Sequence, residues 1–292
     1  MRPLAVRLPL RDTVLLPACC LHFPLGEMHL IKRWVEELRT TPNAYGLLLG
    51  DSFDAARTHY RSHLRTYTAD ENSQESLDTF MRGEVRDLAK ILKPVAKKIL
   101  GLVHGNHYWQ FLDGTTSEQY LCQVLEIPYL GATAAIRLDF YASPKDKGAK
   151  HQLVLVGHHH GGTSGGRTTG GDVAALQRGE SSWDADIYVF GHTHRRVAFK
   201  DAQMTLTKKG EPRVRERSKV FIRAGAFLKG YREDSPTATQ PHRASYAEEK
   251  FLRPTDLGWV KLEILFKYGQ PGSGGGRIPG RGDIRAEMRV SY

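Results

Sequence analysis

Short apolar runs that are followed by a glycine within two residues recur along the chain. They comprise residues 47–49, 99–103 and 187–190, and a polar side chain follows the glycine in each case. Short apolar runs bounded by glycine predict buried strands. The ends of buried strands are where open α/β sheets keep their ligands, so the polar residues that follow are candidates for chemistry.

Other segments have the spacing of helices. In residues 27–39, the side chains of Ile31, Trp34, Val35 and Leu38 share one face, which predicts an amphipathic helix. The remaining helices are predicted at 77–92, at 117–125 with Ser117 as its cap, and at 172–178. Further strands are predicted at 13–16, 133–141, 152–157, 196–200, 203–207, 219–224 and 257–266.

The order of these elements indicates the fold class and the domain organisation. Helices dominate early, strands dominate late, and polar residues follow strand ends, which predicts a two-sheet α/β sandwich flanked by helices. A chain of 292 residues can bury the core of one large domain. We place that domain at 1–268, and we expect the Gly/Arg-rich residues 269–292 to be disordered.

Asp51, Asn106, His192 and His194 are the ligand types of a site with two metal ions, and each follows a predicted strand. A carboxylate such as Asp51 can bridge two divalent ions about 3.5–4 Å apart, the spacing used for displacement at phosphorus. His192 and His194 are two residues apart on an extended segment, so their side chains point the same way. Each imidazole can therefore serve a different ion.

Three motifs together resemble the signature of the calcineurin-like metallophosphoesterases, over about residues 13–266. They are Gly50-Asp51, Gly105-Asn106-His107 and Gly191-His192-Thr193-His194. The family also has a histidine after an intervening strand, and His158, His159 and His160 follow such a strand here. It has an early Asp-x-His as well, where this chain has Cys20 and His22 around Leu21. The closest resemblance is to phosphoesterases common in phage and prophage genomes.

The resemblance implies the same sandwich fold, two divalent ions (Mn, Zn or Fe) and hydrolysis of a phosphodiester or phosphomonoester by a hydroxide that bridges the ions. The implied ligands are Cys20, His22, Asp51 and His194 for the first ion, and Asp51, Asn106, His192 and one histidine of the triplet for the second. We favour His159 and His160 over His158 because Gly161 and Gly162 should fix the register. By resemblance, His107 contacts the phosphate and protonates the leaving oxygen as general acid.

Cys20 leaves two interpretations open. Its thiolate can bind Zn²⁺ or Fe, which would keep the first ion, or the side chain can simply pack in the core. Asp54 can reach the first ion, order the loop or cap a helix. Loss of the family aspartate also motivates an alternative function, a non-catalytic binding or scaffold protein of the same fold.

Charge favours a polyanionic substrate. The net charge of +10 and pI near 9.5 indicate a nucleotide or nucleic acid, although part of the basic charge lies in the tail. Arg167, in a glycine-rich segment, is a candidate for binding the substrate phosphate. The basic residues 57–65 form either a patch that steers the substrate or a solvated helix face.

The cysteines and the hydropathy bear on location. Three cysteines, two of them adjacent, do not make a disulfide framework, which favours a reducing, cytoplasmic compartment. No apolar run approaches the ~20 residues that span a bilayer, so we expect no membrane partner. Residues 16–19 resemble a lipoprotein cleavage site, but Arg11 and Asp12 interrupt the preceding segment, which favours a first strand.

Overall fold

Two six-stranded sheets stacked face to face form the centre of the protein, and helices pack outside them. This computed structural model describes residues 3–54, 71–160, 168–206, 212, 214–231, 246–249, 251, 253–268 and 284–292. The predicted α/β sandwich flanked by helices is confirmed. Among the described residues, no helix has the length and apolarity needed to cross a membrane.

The described strands and helices follow in chain order. The strands are β1 (Leu4–Pro9), β2 (Thr13–Ala18), β3 (Ala44–Leu49), β4 (Ile99–Val103), β5 (Tyr129–Gly131), β6 (Thr133–Tyr141), β7 (His151–His158), β8 (Ile187–Phe190), β9 (Arg196–Leu206), β10 (Val214–Ala224), β11 (Lys261–Tyr268) and β12 (Ile284–Ser291). The helices are α1 (Met28–Thr40), α2 (Glu71–Leu92), α3 (Ser117–Leu125), α4 (Thr169–Gln177) and α5 (Tyr246–Glu249). Short 3-10 segments follow α2 and α4.

Both sheets are mixed, and each has a parallel centre. One has the order β1-β6-β7-β8-β10-β9, with β7, β8 and β10 parallel to one another. The other has the order β12-β11-β2-β3-β4-β5, with β2 to β5 parallel. The carboxyl ends of neighbouring parallel strands therefore meet at one edge of each sheet.

Three apolar clusters hold these layers together. The inner faces of the two sheets pack on each other through residues such as Leu49, Leu155 and Val189. Helices α1, α2 and α3 cover one sheet, where Trp34 is fully buried, and α4 packs with Leu176 on the outer face of the other sheet. The predicted buried face of α1, which is made of Ile31, Trp34, Val35 and Leu38, is confirmed.

Several element predictions needed correction. The prediction of a disordered tail is wrong for residues 284–291, because β12 pairs with β11 along its whole length and buries Met288. Residues 269–283, the rest of the predicted tail, lie outside the described residues. Strands β1 and β5 were not predicted, and 196–206 is one strand rather than two. The cap of α3 is Thr116, one residue before the predicted Ser117, because its side chain accepts the N–H of Gln119.

Candidate metal centre

The site lies where the ends of five strands from both sheets converge. In one sheet, β2, β3 and β4 lead to Cys20 and His22, to Asp51, and to Asn106 and His107. In the other, β7 leads to His159, and β8 leads to His192 and His194. The donor atoms of the histidines, cysteines and Asp51 fall into groups in which all atoms lie within 4.8 Å of one another. One group is Cys20, His22 and His194, and another is Asp51, His159 and His192.

The backbone at the site is held in an uncommon conformation. Positive φ values occur at Cys20 (55°), His22 (47°), Asp51 (50°), His192 (72°) and His194 (58°), all of them predicted ligands. Non-glycine residues rarely adopt this region, although Asp and His tolerate it better than most. Such conformations persist only where the surroundings fix them, and they concentrate at functional sites.

Asp51 occupies the middle of the site and is almost completely buried. Its Oδ1 accepts the N–H groups of Asn106 at 2.8 Å and His107 at 2.7 Å. Its Oδ2 lies 3.0 Å from Nε2 of His159 and 4.0 Å from Nε2 of His22. Burial opposes ionisation, but the hydrogen bond from His159 and the charges of nearby histidines hold the pKa of Asp51 well below its usual range. One carboxylate oxygen therefore faces a histidine of each donor group.

Around Asp51, one group of donors converges on the amide oxygen of Asn106. Asn106 Oδ1 lies 3.0 Å from Nε2 of His159 and 2.9 Å from Nδ1 of His192. The other ring nitrogen of His159, Nδ1, lies 2.5 Å from the carbonyl oxygen of Leu49. Because a carbonyl only accepts, Nδ1 carries a proton, and Nε2 is the atom that faces Asp51 and Asn106.

The second group has two facing imidazoles. Nε2 of His22 lies 3.1 Å from Nε2 of His194, and Nδ1 of His22 lies 3.2 Å from Oδ2 of Asp54. Burial, and then the neighbouring His22, lower the pKa of His194 to about 3. A carboxylate behind a histidine fixes its tautomer and leaves the other nitrogen free to bind metal, as in many metal sites.

Two adjacent thiols lie beneath this group. The Sγ atoms of Cys19 and Cys20 are 3.1 Å apart, and Cys19 also lies 3.5 Å from Nδ1 of His159. Burial, and then Cys19, raise the pKa of the Cys20 thiol well above its usual value. Burial opposes ionisation of Cys19 as well, but Cys20 and the charge of His159 lower its pKa to about 6. Cys20 is fully buried, as a packed core residue would be, and its Sγ also lies within 4.8 Å of donor atoms of His22 and His194, as a ligand's would.

Asp54 joins the candidate general acid to the candidate ligands. Its Oδ2 lies 3.0 Å from Nδ1 of His107, in addition to its contact with His22. The ring of His107 packs edge-on against the ring of His22, with centroids 4.8 Å apart, and is partly exposed. Asp54 therefore supplies a carboxylate partner for His107 as well as for His22.

The other predicted residues have different positions. His160 is exposed, outside both groups, and its ring lies 4.9 Å from that of His192. Nδ1 of His158 lies 3.0 Å from the hydroxyl of Thr133. Arg167 and the basic residues 57–65 lie outside the described residues.

Two contributors to this site were missed by sequence reasoning, Cys19 and Glu118. Glu118 is fully buried and accepts backbone N–H groups from the loops that carry Asp51 and Asn106. Burial raises its pKa to about 8. No motif marks either residue, because a lone acid in a first helical turn and a cysteine beside a strand end are both common.

The donor set of these residues fits divalent metal cations. Nε2 of His159 faces two oxygen atoms, from Asp51 and Asn106, and without a cation that arrangement requires a second proton on the ring. Burial opposes that proton, but the negative charges of Cys19 and Asp51 raise the pKa of His159 to about 11. A cation would replace the proton between the same atoms. Carboxylate, amide and imidazole donors suit Mn²⁺, Zn²⁺ and Fe²⁺, and the added thiol of the other group favours the softer ions.

Comparisons with known proteins give a distant likeness. No protein-family model matches the sequence, and no curated protein matches it. The similar solved structures include two Vps29 proteins and one protein described as a predicted phosphoesterase. Vps29 from Cryptosporidium parvum is 14% identical with a TM-score of 0.38, covering 96% of this chain and 98% of that one. Vps29 from Entamoeba histolytica complexed with zinc is 14% identical with a TM-score of 0.38, covering 95% and 99%. The Streptococcus pneumoniae predicted phosphoesterase is 11% identical with a TM-score of 0.36, covering 96% and 99%.

Proposed function

We propose that this protein is a phosphoesterase that depends on two divalent metal ions. The observation that carries the proposal is the position of Asp51 Oδ2, which faces His159 at 3.0 Å and His22 at 4.0 Å. A buried carboxylate between two groups of metal-binding side chains is suited to bridge two cations. The resemblance of the sequence motifs to calcineurin-like metallophosphoesterases, including the phage type, supports the same conclusion.

The ligands divide between the two ions. Asp51, Asn106, His159 and His192 would hold one of them, and Asp51, His22, His194 and Cys20 the other. His160 is a poorer candidate than His159 for a ligand of the ion at Asn106, since its side chain is exposed and its ring lies against that of His192. When bound, the cations supply an activated nucleophile at neutral pH and neutralise charge on the phosphoryl oxygens.

His107 is the proposed general acid. Its Nδ1 lies 3.0 Å from Oδ2 of Asp54, which accepts the Nδ1 proton and orients the ring. The protonated ring carries its second proton on Nε2, the atom that gives the proton to the leaving oxygen. The backbone N–H of His107 donates to Asp51 at 2.7 Å, which fixes the acid relative to the bridging carboxylate.

A phosphodiester or nucleotide, including nucleic acid, is the proposed substrate class. The net charge of +10 would attract a polyanion, and Arg167 is the proposed residue for the substrate phosphate. We place the protein in the cytoplasm, because its three cysteines are all free and buried.

A second candidate function is a non-catalytic binding or scaffold protein of the same fold. The observation that favours it is Cys20, a buried thiol where the related motif has an aspartate. Metal content separates the two candidates. Two equivalents of transition metal per chain favour the enzyme, and one or none favours the scaffold.

The test is hydrolysis of an aryl phosphodiester and the matching monoester after the purified protein is loaded with Mn²⁺, Zn²⁺ or Fe²⁺. We expect turnover that a chelator abolishes and that returns when metal is added. Asp51→Asn is the matched inactive variant, because an amide cannot bridge two cations with a full negative charge. Retention of more than about a tenth of the activity in that variant would remove Asp51 from the mechanism, since a bridging ligand contributes several kcal/mol.

A further inference from the structure

The side chain of Glu118 links the two loops that carry Asp51 and Asn106. Glu118 belongs to the first turn of α3 and is 0% exposed. Its Oε2 accepts the N–H of Gly105 at 2.8 Å, and its Oε1 accepts the N–H of Ser52 at 3.5 Å. Ser52 follows Asp51 and Gly105 precedes Asn106. One carboxylate therefore holds both loops next to their candidate ligands.

The two loops touch without a side chain between them. A Cβ atom on Gly105 would lie only 2.2 Å from the backbone nitrogen of Asp51. Three consecutive N–H groups, from residues 105, 106 and 107, donate to carboxylates, the first to Glu118 and the next two to Asp51. The separation of Asp51 and Asn106 therefore depends on these few hydrogen bonds.

The start of α3 fixes Glu118 itself. Thr116 and Gln119 form a capping box in which each side chain accepts the backbone N–H of the other residue. Ser117 donates its N–H to the carbonyl of Trp109 at 2.7 Å, and its hydroxyl accepts the N–H of Trp109 at 3.0 Å. These hydrogen bonds tie the start of α3 to the segment that follows His107, and they therefore fix the position of Glu118 relative to that segment.

We propose that Glu118 is a positioning residue that sets the separation of Asp51 and Asn106 and thereby the metal affinity of the group they form with His159 and His192. The inference rests on the proposed function. Both oxygens of the Glu118 carboxyl group accept an N–H, one from each loop, and an oxygen that carries the acid proton still accepts. A glutamine has one acceptor oxygen and would turn N–H donors towards one of the loops, so one link is lost. Removing such supporting partners typically weakens metal affinity by ~10–100-fold.

The experiment titrates Mn²⁺ alone into metal-free protein and measures bound and free metal by equilibrium dialysis with electron paramagnetic resonance. Glu118→Gln is compared with wild type and with Glu126→Gln, which makes the same substitution at the exposed end of the same helix. We expect Glu118→Gln to bind Mn²⁺ ~10–100-fold more weakly, and Glu126→Gln to bind like wild type. Circular dichroism establishes that each variant is folded at the assay temperature.

The outcomes separate this inference from the proposed function. A folded Glu118→Gln protein that binds Mn²⁺ like wild type, even with a lower melting temperature, overturns the positioning role and leaves the proposed function standing. If wild type binds no Mn²⁺, the same comparison is made with Zn²⁺ and then Fe²⁺, and a wild-type protein that binds none of the three overturns both. If Glu118→Gln does not fold, Glu118→Asp is titrated instead, because its shorter side chain cannot reach both loops. Unchanged affinity in that variant also overturns the inference.

Discussion

The carboxylate of Asp54 should control both proton donation and metal affinity, and Asp54→Asn tests this. The substitution keeps the size of the side chain and removes its charge. Asp54 is 7% exposed, so water does not replace the lost interactions. Its Oδ2 is 3.0 Å from Nδ1 of His107 and 3.2 Å from Nδ1 of His22, so one substitution weakens two contacts.

The magnitude follows from those two contacts. A hydrogen bond to a charged group contributes about 1.5–3 kcal/mol, and a neutral one about 0.5–1.5 kcal/mol, so each contact loses about 1 kcal/mol. At about 1.4 kcal/mol for each factor of ten, this is roughly a 5-fold effect per contact. Loss of the contact with His107 should lower kcat, and loss of the contact with His22 should lower the affinity for the first metal ion.

The assay compares kcat on an alkyl phosphodiester with kcat on a 4-nitrophenyl phosphodiester, at saturating metal. We expect the roughly 5-fold loss on the alkyl ester and a smaller loss on the nitrophenyl ester, whose leaving group needs less protonation. Asp87→Asn, on the exposed surface of α2, is the matched control. If Asp54→Asn leaves kcat on the alkyl ester and the metal affinity both unchanged, Asp54 has neither role.

Three other changes test the remaining parts of the site. His107→Ala should lower turnover by ~10²–10⁴ while both metal ions stay bound, and loss of metal would instead make His107 a ligand. If Cys20 is a ligand, Cys20→Ser should weaken binding of the first metal ion, and Cys20→Asp should shift the preference of that site towards Mn²⁺. A fully metal-loaded Cys20→Ser protein beside an unstable Cys20→Asp protein would show instead that the thiol only packs in the core. In metal-free protein, burial lowers the pKa of His192 to about 4 and of His194 to about 3, so their contribution to stability is present above pH 6.5 and is lost as pH falls towards 4. The raised pKa of Glu118 opposes this over the same range, and the raised pKa of His159 opposes it only near pH 6.5. The two histidines outweigh them, so the melting temperature in chelator should fall from pH 6.5 to 4.5, and a constant or rising value would contradict the assignment.

The strand ends could be predicted because apolar runs and glycines are local signals. The runs before Asp51, Asn106 and His192 all form strands, and the convergence of their ends follows from parallel pairing. The choice among the triplet was not settled in the sequence analysis, although a signal exists. Leu155 faces the core between the sheets and Val156 faces the other side, so alternation along β7 directs His159 inwards.

The contribution of Glu118 could not be predicted, and that of Asp54 stayed among three alternatives, because both depend on how loops and a helix approach one another. An acid in the first turn of a helix is usually an exposed residue that favours the helix dipole. Glu118 is instead buried between two loops, and nothing in the residues around it marks this. Residues 284–291 were misjudged for a related reason, because the glycine-rich composition of the preceding residues masked a strand that is stabilised by pairing with β11.

Anomalous diffraction from crystals grown with Mn²⁺ or Zn²⁺ shows directly whether Asp51 bridges two metal ions. We expect two anomalous peaks per chain, about 3.5–4 Å apart, with the carboxylate of Asp51 bound to both. One peak should lie among Asn106, His159 and His192, and the other should lie beside His22 and His194. No peak at this site, or a single peak without Asp51 as a ligand, would contradict the claim.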